Sequence, residues 1–131
     1  MNLKYILFLL VFIMMFIVSC FGVRQDVISD KRWVVYKQIS YQNNSQLRTV
    51  INYNIPMLLI FKTGGEGFMN SYSFDWYLDN NKIFIENHSN VDLLKSGEYD
   101  FVLSRENRLI LIYQNTKGLT TEYYCGLPNE K

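Results

Sequence analysis

The chain has 131 residues with 13 basic and 12 acidic side chains, and its basic residues are scattered among acids. That pattern excludes a nucleic-acid footprint and offers no electrostatic pull toward an anionic membrane surface. The length suits one domain with its own core and leaves no room for a second. A single histidine, His88, and two cysteines, Cys20 and Cys125, are too few for a metal-ligand set, and no cofactor is implied.

At the N-terminus, Lys4 precedes an uncharged apolar run from Ile6 to Val18. Ser19 is the small residue expected just before a cleavage point. A retained transmembrane helix is the alternative, because apolar character continues through Phe21 and Val23 and reaches about the minimum length of a span. Residues Ile17-Val18-Ser19-Cys20 resemble the lipobox of bacterial lipoproteins. The resemblance implies a signal peptide over 1–19, cleavage before Cys20, and acyl chains on Cys20, of which more than one suffices for stable anchoring. The implied partner is membrane lipid. Losing Lys4 would leave basic residues equal in number to the 12 acidic ones. A lipidated Cys20 cannot pair with Cys125, which is expected to be a buried apolar filler. Phe21 stands where some enterobacterial lipoproteins carry the aspartate that retains them at the inner membrane. The resemblance therefore implies the cell envelope, anchored at the outer membrane and facing the periplasm. Residues 20–30, with Gly22, Gln25, Asp26 and Ser29, read as a short tether, and the fold is expected over 31–126.

Lys31 to Ile39 (KRWVVYKQI) is rich in β-branched and aromatic residues, with Trp33 and Val35 on one side, and predicts the first strand. A polar loop over Ser40–Gln46 leads to a second strand at Leu47–Asn52. Pro56 is expected to break the chain before a third strand, Met57–Lys62 (MLLIFK), covered on both faces or nearly so. Gly64, Gly65 and Gly67 predict a permissive turn, and Phe68–Tyr72 begins the return. No helix pattern follows them, so they are not read as a phosphate-binding loop.

Ser73–Leu78 alternates Phe74, Trp76 and Leu78 against Asp75, Tyr77 and Asp79, and Lys82–Glu86 returns with Ile83 and Ile85 on one face. Asp79-Asn80-Asn81 makes their turn. His88 falls in a polar loop as a surface residue, and Asn90 could cap a single helical turn through Leu93 and Leu94. Gly97–Ser104 places Tyr99, Phe101 and Leu103 on one face. Arg108–Gln114 (RLILIYQ) is nearly all apolar, and Leu119–Gly126 closes with Thr121, Tyr123 and Cys125 together. The tail over 127–131 should fray. About eight short strands with tight turns predict an all-β fold, an antiparallel up-and-down β-barrel.

Trp33, LLIFKTGGEGF, FDWYLDNNKIFIE, YDFVLSRENRLILIY and TTEYY resemble, in order and spacing, the small lipocalin-like lipoproteins of Bacteroidetes. Lys31 and Arg32 stand where true lipocalins carry G-x before the tryptophan. The resemblance implies a barrel with an opening, which in the broader family often receives an apolar small molecule; it names no ligand. Trp33, Phe61, Phe74, Trp76, Tyr99 and Phe101 are the candidate cavity-lining residues, with Phe68 also on the apolar side. A barrel of this size can equally be filled by them. Two partners are therefore expected as alternatives. One is a small hydrophobic ligand held by a non-catalytic binding module. The other is an envelope protein contacted by a barrel with a packed interior, for which Tyr36, Tyr41, Tyr53, Tyr72, Tyr77 and Tyr124 offer exterior aromatic surface. No catalytic residue is nominated, since Asp75, Asp79, Glu86, Asp100 and Glu122 alternate with apolar residues as a solvated outer face should.

Overall fold

A computed structural model describes residues 2–20, 27–89 and 94–128. Its strands are β1 (Arg32–Gln42), β2 (Arg48–Phe61), β3 (Glu66–Met69), β4 (Tyr72–Asp79), β5 (Lys82–Asn87), β6 (Gly97–Ser104), β7 (Arg108–Gln114) and β8 (Leu119–Gly126). Each pairs antiparallel with its neighbours in sequence, and β8 returns to β1, so the sheet closes into the expected eight-stranded up-and-down barrel. A helix, Leu3–Cys20, precedes it, with residues 2–13 exposed. Among the described residues no helix is long and apolar enough to cross a membrane.

Alternation sets the faces. Phe74 and Trp76 on β4 and Ile83 and Ile85 on β5 point into the barrel, while Asp75, Tyr77 and Asp79 point out. Asn80 and Asn81 join these strands with φ of 49° and 63°, the pair of left-handed residues that a two-residue hairpin needs to follow the strand twist. The runs MLLIFK and RLILIYQ bury Met57, Leu59, Phe61, Leu109 and Leu111 inward, and their outward residues Leu58, Ile60, Ile110 and Ile112 are half-buried.

Three expectations are corrected. The two strands separated at Pro56 are one, β2, because Pro56 lies in a bulge: Val35 pairs with Met57 and Lys37 with Asn52, leaving Tyr53–Pro56 opposite Tyr36 alone. A residue without an N–H costs no ladder bond there. The return after the glycines is interrupted at Asn70-Ser71, where Met69 meets Tyr72 and Asn70 takes a φ of 53°. Gly67 belongs to β3, not to the turn. Ahead of β1, Ile28 is fully buried in the core and its carbonyl accepts the Trp33 Nε1–H at 3.0 Å. At the other end Leu127 packs against the core and donates its N–H to the Asn107 carbonyl at 3.3 Å. The helical turn expected from Asn90, and the tether residues Gly22, Gln25 and Asp26, lie outside the described residues.

Candidate functional site

Inside the barrel, side chains pack against one another. Trp33, Phe61, Phe74, Trp76 and Tyr99 are all 2% exposed or less, and Phe101 is half-buried against them. The Phe61 ring meets Phe74 at 5.6 Å and Trp76 at 5.0 Å, both edge-on, the arrangement that aromatic quadrupoles favour. Trp76 Nε1–H is shared between the Lys62 and Glu66 carbonyls at 3.0 and 3.1 Å, fastening β4 to the glycine turn. Tyr99 stacks obliquely between Tyr113 and Tyr123 and donates its hydroxyl to the Lys95 carbonyl at 2.6 Å. Ile28 enters this core near one end of the barrel and Leu94 near the other, the latter held through its carbonyl by Asn87 Nδ2–H at 2.7 Å. Of the six residues expected to line a cavity, five are buried in the core cluster and Phe101 packs against it. Burial pushes the Cys125 thiol up to about 12, so at neutral pH it is a protonated filler with little nucleophilic character.

On the outside, β4, β5 and β6 carry Asp75, Asp79, Glu86 and Asp100 into solvent, and Glu122 lies half-buried on β8. Register sets Glu66, Asp75 and Glu86 directly opposite one another across β3, β4 and β5, a row of like charges that costs stability. His88 relieves it. Its Nε2 lies 2.7 Å from Asp75 Oδ2, and this hydrogen bond and the charge behind it hold the imidazole above its ordinary pKa. Lys82 sits between Glu98 at 2.5 Å and Asp100 at 3.5 Å and is likewise held charged. Tyr77 and Phe84 stack face to face at 4.7 Å beside a shallow surface cleft of about 450 Å³. Among the described residues no three histidine, cysteine or carboxylate side chains gather where a metal could bind.

A third surface was not anticipated from the sequence. β2 is fourteen residues long and β3 only four, so β3 covers β2 from Leu59 to Phe61 and no described strand covers the rest of that edge. Leu47, Val50, Ile51 and Ile55 are exposed along it, Ile55 by 85%. Arg48, the only charge on β2, faces outward, lying over the Tyr41 ring at 4.5 Å and 3.9 Å from Glu122. Tyr53 faces inward and donates to Gln38 Oε1 at 2.6 Å. The signal for this surface was the mismatch between the long extended run Leu47–Phe61 and the brief one before Asn70, hidden by reading Pro56 as a break. Of the six tyrosines expected outside, Tyr36, Tyr72 and Tyr77 are exposed, and Tyr41, Tyr53 and Tyr124 are half-buried. The Cys20 side chain lies outside the described residues. No family model, curated protein or solved structure matches this chain.

Proposed function

We propose that the chain is a lipid-anchored envelope protein whose barrel is a rigid, packed scaffold for docking another protein, not a container for a small ligand. The observation that carries this is the division of the aromatic residues and aliphatics. The large aromatics fill the axis, whereas four large aliphatic side chains stand exposed along the length of β2 and the residue before it. Exposed apolar groups so gathered mark contact surfaces. The lipobox-like Ile17-Val18-Ser19-Cys20 supports anchoring through Cys20, and the all-round apolar helix that ends there suits a segment removed by signal processing. The resemblance to small lipocalin-like lipoproteins accords with this reading in fold and compartment, and the filled interior argues against carrying over a ligand.

Metabolic labelling with a fatty acid, followed by size separation in mild detergent, tests both halves. Label is expected in a species larger than the lipidated chain alone, and none in Cys20→Ala. Label retained by Cys20→Ala would put the lipid elsewhere, and a labelled species of monomer size would remove the docking role.

A further inference from the structure

The exposed half of β2 has a chemistry more specific than apolar surface. In a strand, residues on one face turn their N–H and C=O toward one neighbour, and residues on the other face turn theirs toward the opposite neighbour. Leu58, on the outward face of β2, shows which side is which: its N–H donates to Asn70 Oδ1 at 2.8 Å and its carbonyl accepts the Asn70 N–H at 2.7 Å, so outward residues face β3. Arg48, Val50 and Asn52 are outward residues too, because they alternate with Thr49, Ile51 and Tyr53, of which Tyr53 is fixed inward by Gln38. Their backbone groups therefore open onto the side where β3 has ended. Thr49, Ile51 and Asn52 remain in register with Ser40, Gln38 and Lys37 of β1, so the segment is already a paired strand. No lysine lies on it and no charge faces inward, and the bulge that holds Pro56 begins only beyond Asn52.

Resting on the docking reading above, we propose that the partner binds by strand addition: an extended segment of a second envelope polypeptide pairs with Arg48, Val50 and Asn52 in the place a longer β3 would take. The Asn70-Ser71 hairpin tip closes one end of this slot and the other end is open. The added strand sets side chains of one face beside Ile51 and Thr49 and of the other beside Val50, so both faces near its centre take aliphatic or β-branched residues. A second copy of this chain does not fit. Antiparallel pairing of two identical edges is related by a two-fold axis normal to the sheet, which turns one barrel end for end. Ile28 enters at the end opposite the slot, and the few residues between it and Cys20 reach roughly 25 Å at full extension. Two chains so paired cannot both hold one membrane.

The test uses the full chain in its own cells, with a photoreactive side chain in place of Val50, Ile55, Tyr77 or Val102 in separate strains. Adducts with one other polypeptide are expected from positions 50 and 55 and not from 77 or 102. Val50→Pro removes an N–H that faces the slot and leaves the bonds to β1, so it should abolish the adduct at 55. In the unsubstituted protein, the Val50 and Asn52 amides should exchange at least tenfold more slowly in membranes than in the purified chain freed of its partner, which checks the pairing without any variant. An adduct at 55 that survives Val50→Pro with unprotected amides, or adducts from 77 instead, would overturn strand addition while leaving the docking reading standing. An adduct of two copies of this chain would overturn the choice of partner. Absence of adducts at every position would overturn docking itself.

Discussion

Trp76→Ala is expected to destabilise the domain by about 3–5 kcal/mol, the range for emptying a buried large aromatic site. Three losses coincide. The indole leaves a void in the core, Phe61 loses its edge-on partner at 5.0 Å, and the Lys62 and Glu66 carbonyls lose the Nε1–H that they share. The last of these unfastens the glycine turn from β4, because the backbone bond from Trp76 N–H to the Gly65 carbonyl at 2.9 Å depends on the same approach. Urea unfolding followed by Trp33 fluorescence measures the effect. A midpoint unchanged from the parent would mean that this face of β4 is not part of the core.

Gly67→Ala should cost nearly as much, roughly 2–3 kcal/mol or more, for the opposite reason of too little space. A Cβ at Gly67 would lie 2.3 and 2.4 Å from ring atoms of Phe74 and 2.9 Å from the Ile60 carbonyl oxygen. Phe74 cannot simply turn aside, since its ring is packed against Phe61 at 5.6 Å, and the carbonyl belongs to the facing strand. Gly64→Ala is the internal comparison. That residue has φ of 104°, and a Cβ there would meet nothing within 4 Å. Its cost is therefore conformational alone, about 1 kcal/mol. Combining Gly67→Ala with Phe74→Leu should restore part of the loss. Equal melting of the Gly67→Ala and Gly64→Ala proteins would contradict the close packing of β3 on β4.

These two residues also show what the sequence could and could not disclose. The face of Trp76 was legible because Phe74, Trp76 and Leu78 alternate with charged and polar neighbours, a pattern local to one strand. Gly67 looks in sequence like a third member of a flexible turn, because its neighbours Gly64 and Gly65 do take positive φ. Its requirement is set by Phe74, which reaches it only through strand pairing. Pro56 misleads for a related reason. Proline interrupts a ladder only where an N–H is needed, and a bulge whose existence depends on Tyr36 of the facing strand removes that need. Ile28 reads as tether because nothing in its neighbourhood announces that Trp33 Nε1–H will seek its carbonyl. The open edge of β2 is masked for the same physical reason: its signal is a difference in length between two extended runs, and Pro56 divides the longer of them in sequence. Carboxylate placement, by contrast, followed from alternation, although the opposition of Glu66, Asp75 and Glu86 required the register.

Native mass spectrometry of the protein released gently from its own membrane tests most directly whether the barrel works through its exterior. The expected spectrum shows the lipidated chain carrying one companion polypeptide, and the same measurement on a Val50→Lys, Ile55→Lys double variant shows the lipidated chain alone. A reproducible small mass retained by the intact chain and lost on denaturation, with no companion polypeptide, would contradict the packed interior and return the barrel to the role of a ligand carrier.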